Sequence, residues 1–183
     1  MIFAAGTFVR NFAWKDNYTL FTTDIKTSKN SAKLRNAVAG ELLSKSADIK
    51  DVSLKRKMRT EATQHLKEAI RIHPNYKNAY LLLGNANNYL QNYEESISNY
   101  NKAIAIDPSY EEANNNIGIT YREAGKYFGE QKNDISKALQ YLTKAYQMRP
   151  NDKEVLRLLG VANGVQGNHS EAIKYFTLLT QAD

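Results

Sequence analysis

One interval governs what this chain can fold into: its landmarks recur every 34 residues. Pro74 and Pro108, Ala69 and Ala103, Tyr76 and Tyr110, Ala79 and Ala113, Gly84 and Gly118, and Tyr93 and Tyr127 all stand 34 positions apart. A fixed period of this size marks stacked supersecondary units, none of which buries its own apolar face alone. After Tyr127 the spacing becomes 42, from Ala103 to Ala145, Pro108 to Pro150, Gly118 to Gly160 and Gly125 to Gly167. The eight extra residues fall in 128–135, a polar, glycine-containing stretch expected as one inserted loop. The interval then returns to 34, from Ala138 to Ala172 and from Leu142 to Phe176.

Each unit reads as two amphipathic helices. Ala79, Leu82, Leu83, Ala86 and Leu90 fall on one helical stripe, and Tyr93, Ile97, Tyr100 and Ile104 on a second. Gly84, Gly118 and Gly160 lie inside first helices, where glycine costs about 1 kcal/mol relative to alanine. That cost is acceptable where a neighbouring helix must come close. The pairs Asp107-Pro108 and Arg149-Pro150 end second helices, because the residue before proline avoids helical dihedrals.

These residues resemble the tetratricopeptide repeat (TPR) family. The match comprises the small eighth residue (Gly84, Gly118, Gly160), the turn Gly125-Lys126-Tyr127, and alanine at position twenty (Ala62, Ala138, Ala172). It continues with a large residue at twenty-four (Leu66, Tyr100, Leu142, Phe176), alanine at twenty-seven (Ala69, Ala103, Ala145) and proline at thirty-two. Ser96 departs from it at position twenty and Leu179 at twenty-seven. The resemblance implies an all-α, right-handed superhelical stack of helix-turn-helix units, an α-solenoid of about four repeats behind a leading helix. The expected organisation is 1–30 as an apolar segment and capping helix, 31–74 as a divergent repeat with an insertion and a lengthened second helix, 75–108, 109–150 with the inserted loop, and 151–183. In the divergent repeat the first helix is expected over 31–45 and the second over 51–71. Trp14, Tyr18, Phe21 and Ile25 place the leading helix at 14–26.

Composition narrows the function. Of the 183 residues 42% are hydrophobic, only three are proline, and no stretch alternates as a strand would. The net charge of +6 sits in the first third: residues 1–60 hold 12 Lys and Arg against 5 Asp and Glu, the remainder 13 against 14. Lys55, Arg56, Lys57 and Arg59 form a basic patch on the lengthened helix, which makes a nucleic-acid contact an alternative function, though a weak one for four cations. The absence of cysteine excludes disulfides, thiolate metal sites and thiol catalysis. His65, His73 and His169 are isolated from one another, and no metal, phosphate or nucleophile motif accompanies them. No enzyme activity, cofactor or metal is expected.

The resemblance implies a concave groove lined by first helices, holding an extended peptide or a partner's helix. Carrying over its lining positions gives Asn78, Leu81, Asn85, Asn88 and Tyr89 in one unit, Asn115, Ile119 and Arg122 in the next (with Glu112 and Glu123), and Arg157 and Val161 in the last (with Glu154, Gly164 and Val165). Asparagine both donates and accepts, which suits the backbone of an extended peptide. Members that grip a chaperone's C-terminal carboxylate add three cations to two asparagines. Asn85 and Asn116 match the asparagines, but Leu81, Glu154 and Leu158 stand at the basic positions, so no chaperone-tail binding is expected.

The leading segment, with Thr7, Arg10-Asn11, Trp14, Leu20-Phe21, Asp24-Ile25 and Asn30 to Lys33, is similar to the junction of multi-spanning membrane proteins with C-terminal TPRs. These include the transmembrane O-mannosyltransferases and bacterial relatives. That similarity implies that 2–9 is the remnant of a membrane helix and that the repeats form an extracytoplasmic, membrane-associated tail presenting substrate to a glycosyltransferase. A cytoplasmic location is the alternative.

Overall fold

The structure, a computed structural model, describes residues 16–182. Among them are nine α-helices and one π-helical turn, with no strand. They fall into two compact units divided between Tyr110 and Glu111.

The first unit begins with α1 (Asn17–Thr27), followed by the pairs α2 (Ala32–Asp48) with α3 (Val52–Ile72) and α4 (Lys77–Tyr89) with α5 (Tyr93–Ile106). Short polar side chains start the early helices: Asp16 accepts from the Thr19 N–H, Ser31 from the Leu34 N–H, and Asp51 from the N–H groups of Ser53 and Leu54. The core joins Val38, Ala39 and Leu42 of α2, Ala62, Leu66 and Ala69 of α3, and Ala79, Leu83 and Ala86 of α4. Tyr18, Phe21 and Ile25 of α1 pack on it. Trp14 and the apolar 2–9 lie outside the described residues. The insertion of the divergent repeat extends α2 to Asp48 and lengthens α3 at its start.

The second unit holds α6 (Glu111–Lys126), a π-helical turn (Tyr127–Gln131), α7 (Ile135–Met148), α8 (Lys153–Val165) and α9 (His169–Gln181). Its core runs from Leu142 and Ala145 of α7 to Val155, Leu156, Leu159 and Ala162 of α8 and Tyr175 of α9.

The inserted residues differ from the loop expected of them. Half of the stretch, 128–131, continues α6 as the π turn, closed by the Lys132 N–H on the Tyr127 carbonyl (3.2 Å), before Asn133 turns the chain at φ 53° and Asp134 caps α7. The consequence is a change of helix pairing. A Cβ on Gly84 would lie 2.5 Å from the Tyr100 ring, and one on Gly160 would lie 2.6 Å from Phe176, so position eight meets position twenty-four in both units. In the inserted unit Leu142 instead lies against Gly125, where a Cβ would come within 2.5 Å, while Gly118 faces the side chain of Arg149. The shift from Gly118 to Gly125 is seven residues, two helical turns or roughly 10 Å.

This pairing predicts an unequal response to alanine. Gly125→Ala should lower stability by about 1–3 kcal/mol, because Leu142 and the Ala138 carbonyl close that space. Gly118→Ala should stay within about 1 kcal/mol of the parent, since it displaces only the flexible stem of Arg149 and gains helix propensity. Urea denaturation followed by far-UV circular dichroism checks the order, and the reverse order would restore the simple repeat register.

Candidate functional site

The predicted lining residues of α4 divide by what already holds them. Asn78 and Asn85 are half-buried and accept tyrosine hydroxyls through Oδ1, from Tyr110 at 3.2 Å and from Tyr100 at 2.7 Å. Asn85 therefore ties α4 to α5, and Asn78 ties α4 to the connection that follows α5. Leu81 does not line an open surface: it is 1% exposed and belongs to the core, as expected of a leucine that gains roughly 1.5–3 kcal/mol by leaving water. Asn88 is half-buried and its Oδ1 is shielded without a hydrogen-bond partner. Tyr89 is 49% exposed.

Tyr89 also meets the basic patch, a contact across 30 residues that no spacing announces. The Arg59 guanidinium lies 4.9 Å from the centre of the Tyr89 ring, and its Nη1 donates to the Tyr89 carbonyl at 2.9 Å. Its Nε reaches Ser46 Oγ at 3.4 Å. A cation at the carbonyl end of α4 also suits the helix dipole. Arg59 is thus committed to the fold, and Lys55, Arg56 and Lys57 remain. Arg56 and Lys57 are exposed on α3 along a shallow hollow shared with Glu61 and His65, while Lys55 is half-buried.

In the second unit Asn115 is exposed and Ile119 half-buried on α6. Arg122 donates to Asp152 at 2.9 Å and to Glu123 at 3.0 Å. Asp152 also caps α8. Burial works to raise its carboxyl, but the Val155 N–H and the guanidinium groups of Arg122 and Arg149 outweigh that and hold it below the usual carboxylate range. Arg157 makes a two-pronged contact with Glu154, both bonds 2.8 Å, and stands 3.9 Å from Glu130. Its pairing with Glu154 holds that carboxyl low.

Between the π turn and α8 lies a hollow of about 180 Å³. Gly125, Ala138, Leu142, Leu158 and Ala162 supply apolar wall, the π turn contributes Gly129 and Glu130, and Val161 and Val165 stand at the lip. Val161 is 45% exposed and Val165 65%. The sequence reading placed Arg157 and Val161 near a ligand but missed the wall opposite, which comes from the inserted residues. The signal was the insertion itself, with Phe128 at its start. That ring stacks on Tyr141 at 5.4 Å and 8°, pinning the π turn to α7.

No group of His, Asp or Glu that could hold a metal ion occurs among the described residues. Nor is any helix there long and apolar enough to cross a membrane.

The model of the cytochrome c-type biogenesis protein H TPR domain family matches residues 32–182. The chain belongs to this TPR family. No curated protein matches it. Among solved structures, MamA superposes with a TM-score of 0.60 at 19% identity over 90% of this chain and 85% of that one. YrrB, described as a TPR protein with an unusual peptide-binding site, gives 0.54 at 21% identity over 89% and 74%. A thermophilic TPR protein of Thermus thermophilus gives 0.54 at 15% identity over 89% and 71%. At these identities the likeness concerns the TPR fold. The family match begins at the start of α2 and takes in the insertion, so the π turn sits inside the TPR region and not beside it.

Proposed function

We propose that this chain is a non-catalytic TPR scaffold that binds a polypeptide, as an extended segment or a partner's helix, on the outward faces of its first helices. One observation carries the reading: α4 and α8 keep Tyr89, Val161 and Val165 at the surface, 45–65% exposed, while the rest of their large apolar residues are buried or half-buried. Tyrosine held at the surface of a rigid helix is a usual anchor of protein contacts, and exposed valines offer apolar area to bury. Asn88 adds an amide beside Tyr89. YrrB, which shares the fold, is described as having a peptide-binding site, and that favours a polypeptide ligand here.

The test compares the full chain with Asn88→Ala/Tyr89→Ala as immobilised bait for cell extract, with helicity checked by circular dichroism. Capture of a defined protein should fall several-fold in the variant, as expected for a tyrosine contact; capture that is equal in both would oppose the reading.

Two other readings have narrower support. The junction over 7–33 favours a substrate-presenting tail of a membrane glycosyltransferase on the extracytoplasmic side, and residues 7–15 of that junction lie outside the described residues. A gene encoding many apolar spans upstream would be expected. The basic patch favours nucleic acid only through Lys55, Arg56 and Lys57, with Glu61 among them, and predicts affinity that falls steeply with salt. No chaperone-tail binding is expected, because Leu81 and Leu158, at two of its cation positions, carry no charge and are buried.

A further inference from the structure

We infer that the hollow between the π turn and α8 is an anchor pocket taking one uncharged apolar side chain, of the leucine, isoleucine or methionine class, from a partner polypeptide. This rests on the reading that the chain binds a polypeptide, and adds where and by what chemistry.

Size sets the class of occupant. An apolar cavity of about 150 Å³ accepts a benzene-sized guest, so a hollow of about 180 Å³ suits one side chain. It is smaller than the roughly 300–1,000 Å³ typical of cofactor and drug-sized sites. Part of the wall offers water little to bond: Ala138, Leu142, Leu158 and Ala162 are buried aliphatic groups, beside the polar Asn133 and the charged Lys126, Glu130 and Arg157. Water held so poorly is displaced favourably by an apolar group.

Charge selects within that class. The charged groups of the rim are matched among themselves, Arg157 with Glu154 and Glu130, and Lys126 with Glu154. Nearby, Arg122 and Arg149 are matched by Asp152. A charged anchor would lose its own hydration against an aliphatic wall and find no unmatched charge at the rim to replace it. An uncharged one loses none. The Phe128–Tyr141 stack fixes the π turn before any ligand arrives, so little ordering cost falls on binding.

The pocket also depends on a missing side chain. Gly129 lines it, and a Cβ there would touch the Ala138 Cβ at 3.4 Å, an ordinary contact. Gly129→Leu is therefore expected to fold and to occupy the hollow itself. Val165→Glu is a second, independent block, placed at an exposed lip position.

The experiment selects binders to the full chain from a displayed library of random peptides. The peptides enriched are expected to share one Leu, Ile or Met at a fixed position. Affinity for a synthetic peptide of that sequence should fall roughly tenfold or more with either variant. Changing the anchor to alanine should cost as much against the parent chain, yet add little against Gly129→Leu. Circular dichroism and thermal midpoints confirm that both variants are folded. Peptides that bind both variants as tightly as the parent, or that share a charged anchor, would overturn the pocket while leaving the binding role intact. A library yielding no binder would remove both.

Discussion

Tyr100→Ala should destabilise the protein by about 3–5 kcal/mol, the range for truncating a large buried aromatic. Tyr100 is 1% exposed, its ring fills the space above Gly84, and its hydroxyl donates to Asn85 Oδ1 at 2.7 Å. Alanine leaves a cavity that cannot collapse cheaply, because α4 already approaches as closely as a glycine allows. Tyr100→Phe separates the two contributions and should cost about 1 kcal/mol for the hydrogen bond. Urea denaturation monitored by helicity reads both. A Tyr100→Ala cost near that of Tyr100→Phe would mean that the ring does not hold α4 to α5.

Leu83→Ala is the second large effect, expected at about 2–5 kcal/mol. Leu83 is 4% exposed and lies in the cluster that joins α2, α3 and α4, so its loss opens a void shared by three helices. Lys126→Ala serves as the control. Its ammonium is partly exposed and 3.9 Å from Glu154, and surface pairs of this kind contribute about 0–1 kcal/mol. A Leu83 variant as stable as the Lys126 variant would place the helical stripe on the wrong face.

The repeat was legible because its signals are local and redundant. Spacing of glycine, alanine and proline set the helix pairs, and the small eighth residue foretold the close approaches seen at Gly84 and Gly160. The inserted stretch misled because polar, glycine-containing composition looks alike in a loop and in a π turn. Which it becomes depends on Phe128 finding Tyr141, thirteen residues on. In the same unit the partner of Leu142 is Gly125 and not Gly118.

The candidate surface was less legible than the fold. Family positions located Tyr89, Arg157 and Val161 without showing which side chains the protein already uses. Asn78 and Asn85 answer to tyrosine hydroxyls, Arg59 to the Tyr89 ring and carbonyl, and Leu81 to the core. Each of those partners is 15 or more residues away in sequence or set by burial, so no single-sequence pattern announces it. The wall formed by Gly129 and Glu130 was hidden for the same reason.

Site-specific photo-crosslinking in cells tests the central claim most directly. A photoreactive residue replacing Tyr89 or Val165, both exposed on first helices, should trap a polypeptide, whereas the same residue replacing the exposed Gln140 on α7 should remain unlabelled. Labelling at Gln140 equal to that at Tyr89 and Val165 would contradict a partner held by the first-helix faces.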